Sequence, residues 1–294
     1  MTNTWTRLAI GAALLLITAV AGSAQSSTTG DWTASVGKEA DKIHLNFERR
    51  TEKGNRNQMG QSYSYTELQG LSREQAEAGG PIKFSLVREA GRIDCEGRFE
   101  NRKGSGTFTF TPNQNFVAAM KSRGFDFSAE ANSDRSEDKL FAATTLNVTT
   151  AQADDLNSAG FANLTVDDLF KAAIFKVDSR YKQEMKAAGF GDLGMEELVK
   201  GRIFKVDAEF ANQVSQMGYG KESMESLVKM RIFKVTPEFI AEVRNEGLTD
   251  LSIEDAVKLR IFKIDAQFIR EAKAEGVPLN VEKLVQKRIG VARN

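Results

Sequence analysis

The chain has 294 residues, and its 40 lysines and arginines are matched by 40 aspartates and glutamates. That balance excludes a bulk electrostatic pull towards nucleic acid or an anionic membrane. One histidine, His44, and one cysteine, Cys95, exclude an intramolecular disulfide and zinc sites built from several imidazoles or thiolates.

Residues 1–24 read as a secretory signal peptide. Arg7 supplies the positive charge and Leu8 to Val20 the apolar core. Ala19-Val20-Ala21 or Gly22-Ser23-Ala24 supplies the small-residue cleavage site. The apolar run is shorter than the roughly 20 residues that span a bilayer, and retention as an uncleaved anchor is the alternative. No cysteine follows the core to accept a lipid, and no later segment approaches transmembrane length. A periplasmic or secreted protein is expected, with no membrane span after signal cleavage. Cleavage removes one basic residue and leaves the mature chain close to neutral.

Residues 31–111 have a period of two. Ile43, Leu45 and Phe47 alternate with His44, Asn46 and Glu48, and Ile82, Phe84 and Leu86 with Lys83, Ser85 and Val87. Ile93, Cys95 and Phe99 continue after Glu89-Ala90-Gly91, and Thr107 to Thr111 follows Asn101-Arg102-Lys103-Gly104. Gln61 to Glu67 is a further run, with Tyr63 and Tyr65 on one face. Such runs bounded by turn residues predict an antiparallel β domain of five or six strands. Ser72-Arg73-Glu74-Gln75 has capping-box spacing, which predicts a short helix from Arg73 to Glu77. Thr51 to Met59 is polar and basic and is expected to be a loop. Gly104-Ser105-Gly106 reads as a hairpin turn. Cys95 falls on the apolar side of its strand and is expected to be buried, whereas His44 falls on the solvent side.

Residues 112–294 have a helical period and an internal repeat. Gly160, Gly189, Gly218, Gly247 and Gly276 are spaced at 29 residues, and Gly124 stands 36 residues ahead of them. The fixed period predicts six helix-turn-helix units. In the clearest unit Thr236 caps the first helix and Pro237 begins it. Phe239, Ile240 and Val243 form its buried stripe, and Gly247 ends it in a left-handed conformation. Ser252 caps the second helix, with Asp255 at the capping-box position. Asp178, Asp207 and Asp265 recur before first helices, and Thr165 and Ser223 before second helices. Helices of about eight to eleven residues are marginal alone, so the pairs must bury their stripes against one another. Tyr181, Phe210, Phe239 and Phe268 are expected to form one aromatic core ladder, and Phe175, Phe204, Phe233 and Phe262 a second. The polar segment Ala131 to Glu137 accounts for the longer first interval and is expected to be a loop. The fold class is therefore α+β, a small antiparallel β-sheet domain followed by a solenoid-like α-helical repeat domain.

The unit with Val235-Thr236-Pro237-Glu238-Phe239 and its Gly-Tyr or Gly-Phe centre resembles repeats of bacterial extracytoplasmic regions. Those regions accompany the membrane metallopeptidases of the antirepressor, beta-lactam-sensor type. Phe84 to Gly91 and Gly104 to Pro112 are similar to the strand region before such repeats. The resemblance spans about Trp32 to the C-terminus and implies an accessory region without the peptidase. The His-Glu-x-x-His helix that the peptidase needs is absent.

No nucleophile elbow or phosphate loop occurs, and no cofactor is expected. Asp154-Asp155 and Asp167-Asp168 are carboxylate pairs, and most such pairs sit in first turns, where the helix dipole favours anions. Two basic columns remain. Arg202, Arg231 and Arg260 recur at one repeat phase, and Lys176, Lys205, Lys234 and Lys263 three residues past it. They are the candidate interaction edge, facing another protein or an acidic envelope polymer. Complementation of the second-helix C-termini is the structural alternative. The reading is an exported, non-enzymatic repeat scaffold that binds or senses. A β domain binding a small ligand or glycan, with the repeats as spacer, is the second reading. An exported hydrolase using carboxylates is the third.

Overall fold

The computed structural model describes residues 28–50, 56–128, 133–220 and 222–290, and the expected signal peptide lies outside them. The alternating apolar residues build β1 (Thr28–Val36), β2 (Lys42–Arg50), β3 (Arg56–Ser64), β4 (Leu68–Gln69), β5 (Gly80–Arg88), β6 (Gly91–Glu100) and β7 (Lys103–Pro112). They form one antiparallel sheet in the order β3-β2-β1-β7-β6-β5-β4. The sheet has seven strands where five or six were expected, and two of them, β4 and β1, are not among the runs read from the sequence. The two-residue β4 is too short to show alternation, and β1 carries Gly30 and Asp31, which mask its pattern. The segment expected to be a loop is strand from Arg56 onward, where Arg56 pairs with Arg50; residues 51–55 lie outside the described residues.

Gly104-Ser105-Gly106 is strand as well, inside β7. The turn is made one step earlier by Asn101 and Arg102, both left-handed with φ of 49° and 64°, as a two-residue hairpin requires. These glycines make room instead of turning. A β-carbon on Gly104 would stand 2.7 Å from the rings of Phe99 and Trp32. Trp32 is 1% exposed and packs edge-on to Phe84, and its indole N–H donates to the Glu96 carbonyl at 3.2 Å. Ser72 caps α1 (Arg73–Ala78) in the expected capping box. Cys95 is buried, which pushes its thiol pKa up, and His44 is exposed.

From Asn113 onward the chain forms helices in pairs: α2 (Gln114–Lys121) with α3 (Ser133–Leu146), α4 (Thr150–Ser158) with α5 (Val166–Phe175), and α6 (Ser179–Ala187) with α7 (Met195–Ile203). They continue with α8 (Ala208–Val214) and α9 (Met224–Phe233), α10 (Pro237–Asn245) and α11 (Ile253–Ile261), and α12 (Ala266–Ala274) and α13 (Val281–Arg288). Second helices stack in succession from α3 to α13 and form one layer. First helices lie in the other layer. Of the segment expected to be a loop before α3, residues 131 and 132 lie outside the described residues and the rest is helical from Ser133, so the longer first interval extends α3 to 14 residues.

That longer helix joins the two halves. Phe141 on α3 stacks on Phe108 at 5.3 Å and meets Phe47 and Phe110 edge-on. Arg49 on β2 is buried and pairs with Asp138 on α3. The apolar core runs without a break from Trp32 to Val285. No helix among the described residues is long and apolar enough to cross a membrane.

Candidate functional site

In the first five helix pairs both helices end on a left-handed residue, and the two are of different types. First helices end at Gly124, Gly189, Gly247 and Gly276, with φ between 76° and 104°. The next residue then donates back along the chain: Phe125 N to Met120 O, Phe190 N to Met185 O, Leu248 N to Val243 O and Val277 N to Ala272 O. This is the Schellman cap, in which glycine avoids the steric cost of the left-handed region. The equivalent stretch of the fourth unit is a π turn, Ser215–Tyr219, with Gly218 at φ 90°.

The first five second helices close with the same hydrogen bond but without glycine, whereas α13 is followed by Gly290 at φ 72°. Val148, Val177, Val206, Val235 and Ile264 donate to the carbonyls of Ala143, Ala172, Gly201, Met230 and Leu259. The left-handed residue is Asn147 once, and then Lys176, Lys205, Lys234 and Lys263, with φ between 53° and 58°. Asparagine tolerates that conformation; lysine adopts it at a cost of about 1–2 kcal/mol. All four lysines are exposed, and none makes an ion pair with a described residue.

The arginines behave differently. Arg202 lies 3.7 Å over the Tyr181 ring and Arg231 3.7 Å over Phe210; Arg260 and Arg288 lie 4.8 Å over Phe239 and Phe268. Arg260 Nε donates to the Phe233 carbonyl at 3.1 Å and Arg288 Nε to the Phe262 carbonyl at 3.0 Å. Each of these two caps the C-terminal end of the preceding second helix while covering an aromatic ring of its own unit. The structure thus separates the two basic columns. Arg202, Arg231 and Arg260 are held against the stack, and Lys176, Lys205, Lys234 and Lys263 project from it.

Sequence periodicity does not reveal one feature of this edge. Ile174, Ile203, Ile232 and Ile261 occupy the last turn of successive second helices, Ile289 follows α13 directly, and all five are 48% to 54% exposed. Among the described residues only Val87 is another large aliphatic or aromatic residue of comparable exposure. Scattered exposed apolar residues need no explanation, but a row at one phase does. Phe175, Phe204, Phe233 and Phe262 follow directly and are only half-buried, so the expected second core ladder is the floor of this edge. The first ladder is core as expected at Tyr181, Phe210 and Phe239, while Phe268, in the end unit, is half-buried. The repeating surface is therefore Ile-Phe-Lys, four times over.

Burial pushes the Tyr181 phenol up to about 12, against the opposing pull of Arg202, and its hydroxyl donates to the Val206 carbonyl at 2.7 Å. Three of the four carboxylates in the two pairs are engaged, and Asp154 and Asp155 lie past the first turn of α4, a turn that holds no acidic residue. Asp154 binds Arg123, Asp155 accepts from the Ser179 amide and hydroxyl, and Asp168 closes the capping box with Thr165. No group of three or more potential metal ligands occurs among the described residues. Inside the sheet the space is filled by Trp32, Phe47, Phe99, Phe108 and Phe110. A cleft of about 430 Å³ opens on its other face, lined by polar residues such as Ser85, Arg92, Asp94 and Thr109. No protein-family model and no curated protein matches the chain.

Proposed function

We propose that the chain is an exported, non-enzymatic repeat scaffold that binds another protein along the C-terminal edge of its second helices. The observation that supports this is the row of half-exposed isoleucines, four of them two residues from a left-handed lysine that makes no ion pair with a described residue. An isoleucine in water adds nothing to the fold, and a lysine at the helix end gains about 0.3–1 kcal/mol from the dipole against a left-handed cost of about 1–2 kcal/mol. Both residue types at one phase are accounted for by a partner that covers the isoleucines and carries opposite charge. The resemblance to accessory regions of membrane sensors is consistent with a partner in the cell envelope.

Site-specific photo-crosslinking tests this. A benzoylphenylalanine in place of Ile232 should give a discrete protein adduct in cells that produce the chain. The same group in place of the exposed Glu242, on α10 in the other layer, should not. Adducts from Glu242 and none from Ile232 would overturn the proposal.

A further inference from the structure

We infer that this edge receives an acidic polypeptide segment in the polyproline II conformation, lying across the ends of the second helices. The inference rests on the scaffold reading above and names the chemistry of its partner.

The geometry comes from the spacing of the row. Packed helices lie roughly 8–10 Å apart, so successive isoleucines recur at about that distance. A ligand that meets every isoleucine must present a side chain to the same side at the same interval. A β-strand alternates faces, so its same-face residues recur at about 6.7 or 13 Å. An α-helix returns to one face after seven residues, about 10.5 Å, and drifts by about 20° each time. Polyproline II has three residues per turn and a rise of about 3.1 Å, so every third residue points the same way at about 9.3 Å. It is the one regular conformation that matches both the interval and the face. Its backbone carries no internal hydrogen bonds, so it needs no partner strand, and the edge is made of helix ends with their backbone groups already bonded in caps.

The charge comes from the lysines. Lys176, Lys205, Lys234 and Lys263 stand two residues beyond Ile174, Ile203, Ile232 and Ile261. Each can meet a carboxylate beside the apolar residue that covers its isoleucine. A narrow segment also suits the edge better than an anionic lipid surface. Two residues past the lysines stand Asp178, Asp207 and Asp265, exposed and bonded through their carboxylates to the amides of Tyr181, Phe210 and Phe268. A plane of headgroups broad enough to reach the lysines would meet these aspartates too, whereas a single extended chain can lie on the isoleucine and lysine rows alone.

The test uses the full chain and a fluorescent 15-residue peptide of five Leu-Glu-Pro triplets. Its controls are the Leu-Lys-Pro analogue, a peptide with the same composition but leucine at every second position where possible, and phosphatidylglycerol vesicles. Saturable binding of the Leu-Glu-Pro peptide, weakened by salt and at least tenfold tighter than either control peptide, is the expected result. Two variants locate it. Lys176→Asn, Lys205→Asn, Lys234→Asn and Lys263→Asn together keep residues that accept the left-handed conformation while removing the charges. Ile203→Ser with Ile232→Ser removes the middle of the row. Each should keep the wild-type circular dichroism spectrum and lose at least tenfold in affinity. No binding, equal binding of the control peptides, or undiminished binding by the lysine variant would overturn the inference. So would vesicle binding that the lysine variant abolishes while the peptide is ignored, which would assign the edge to lipid. If the peptide fails while Ile232 still crosslinks a protein, the segment chemistry is wrong and the scaffold reading stands. If both fail, both fall.

Discussion

Lys234 and Gly247 hold the same left-handed backbone, with φ of 55° and 104°, at the ends of the two consecutive helices α9 and α10. Each precedes an apolar residue whose amide closes the same capping hydrogen bond, Val235 to Met230 and Leu248 to Val243. The two sites pose one backbone problem and receive two answers. Glycine is the answer where no side chain is wanted.

Lys234→Gly should therefore stabilise the chain. The left-handed cost of lysine is about 1–2 kcal/mol, and glycine returns about 0.5–1 kcal/mol of it through the entropy of the unfolded chain. A net gain of about 0.5 kcal/mol in moderate salt, where the lysine's interaction with the helix end is screened, is expected. Thermal unfolding measures it. A loss of more than about 1 kcal/mol would show that the lysine serves the fold.

Tyr181 and Gly201 form a second matched pair. The Tyr181 hydroxyl occupies the spot where a β-carbon on Gly201 would stand. Twenty residues past Phe210 and Phe239, which lack the hydroxyl, stand Met230 and Leu259 in place of the glycine. Gly201→Met alone should destabilise by overpacking, about 1–3 kcal/mol. Adding Tyr181→Phe should recover much of the loss, with a coupling of about 0.5–3 kcal/mol in a double-mutant cycle. Additive effects would contradict the pairing.

The two basic columns should respond differently to neutralisation. Arg260→Met removes a hydrogen bond to the Phe233 carbonyl and a cation held over the Phe239 ring. It should cost about 1–2 kcal/mol, since the site is half-exposed and part of the charge effect is screened. Lys263→Met, on the open edge, should change stability by less than about 0.5 kcal/mol. Equal losses would place the lysine inside the stack. Reversing the charge of Arg202, Arg231 and Arg260 would disturb folding as well as charge, so the lysines are the side chains by which binding is to be probed.

Phe141 and Phe239 should differ in reach. Both are buried, and truncation to alanine should cost about 3–5 kcal/mol in either case. Phe141 touches Phe47, Phe108 and Phe110, so Phe141→Ala should lower hydrogen-exchange protection in β2, β7 and α3 together. Phe239→Ala should act on α10 and its neighbours and leave the sheet protected, because stacked pairs couple mainly to adjacent pairs. Identical protection patterns in the two variants would contradict this.

Much of this architecture is legible in the sequence because its signals are local. Thr165, Asp178, Asp207, Ser223, Thr236, Ser252 and Asp265 each accept the backbone hydrogen bond that their position implies. Ile43, Leu45 and Phe47 face inward as alternation requires. The site is less legible. Ile203 and Phe204 are adjacent apolar residues at a helix end, and periodicity does not say which of them meets the core. Lysine, moreover, carries no sequence mark of the left-handed conformation that Lys205 adopts after them. The arginines do offer a signal, a constant offset of 21 residues from Tyr181 to Arg202, Phe210 to Arg231 and Phe239 to Arg260. Matched offsets between an aromatic column and a cationic column point to the stacking of one on the other.

The most direct test joins the lysine conformation to binding. Lys205→Gly and Lys234→Gly would be placed together in the chain that carries the photo-crosslinker at Ile232, and the yield of its protein adduct measured. The adduct is expected to fall to a small fraction of the parent yield while the unfolding temperature is unchanged or higher. An undiminished adduct in that stable variant would contradict it, and would mean that the lysines stand in the left-handed turns for a reason other than a partner.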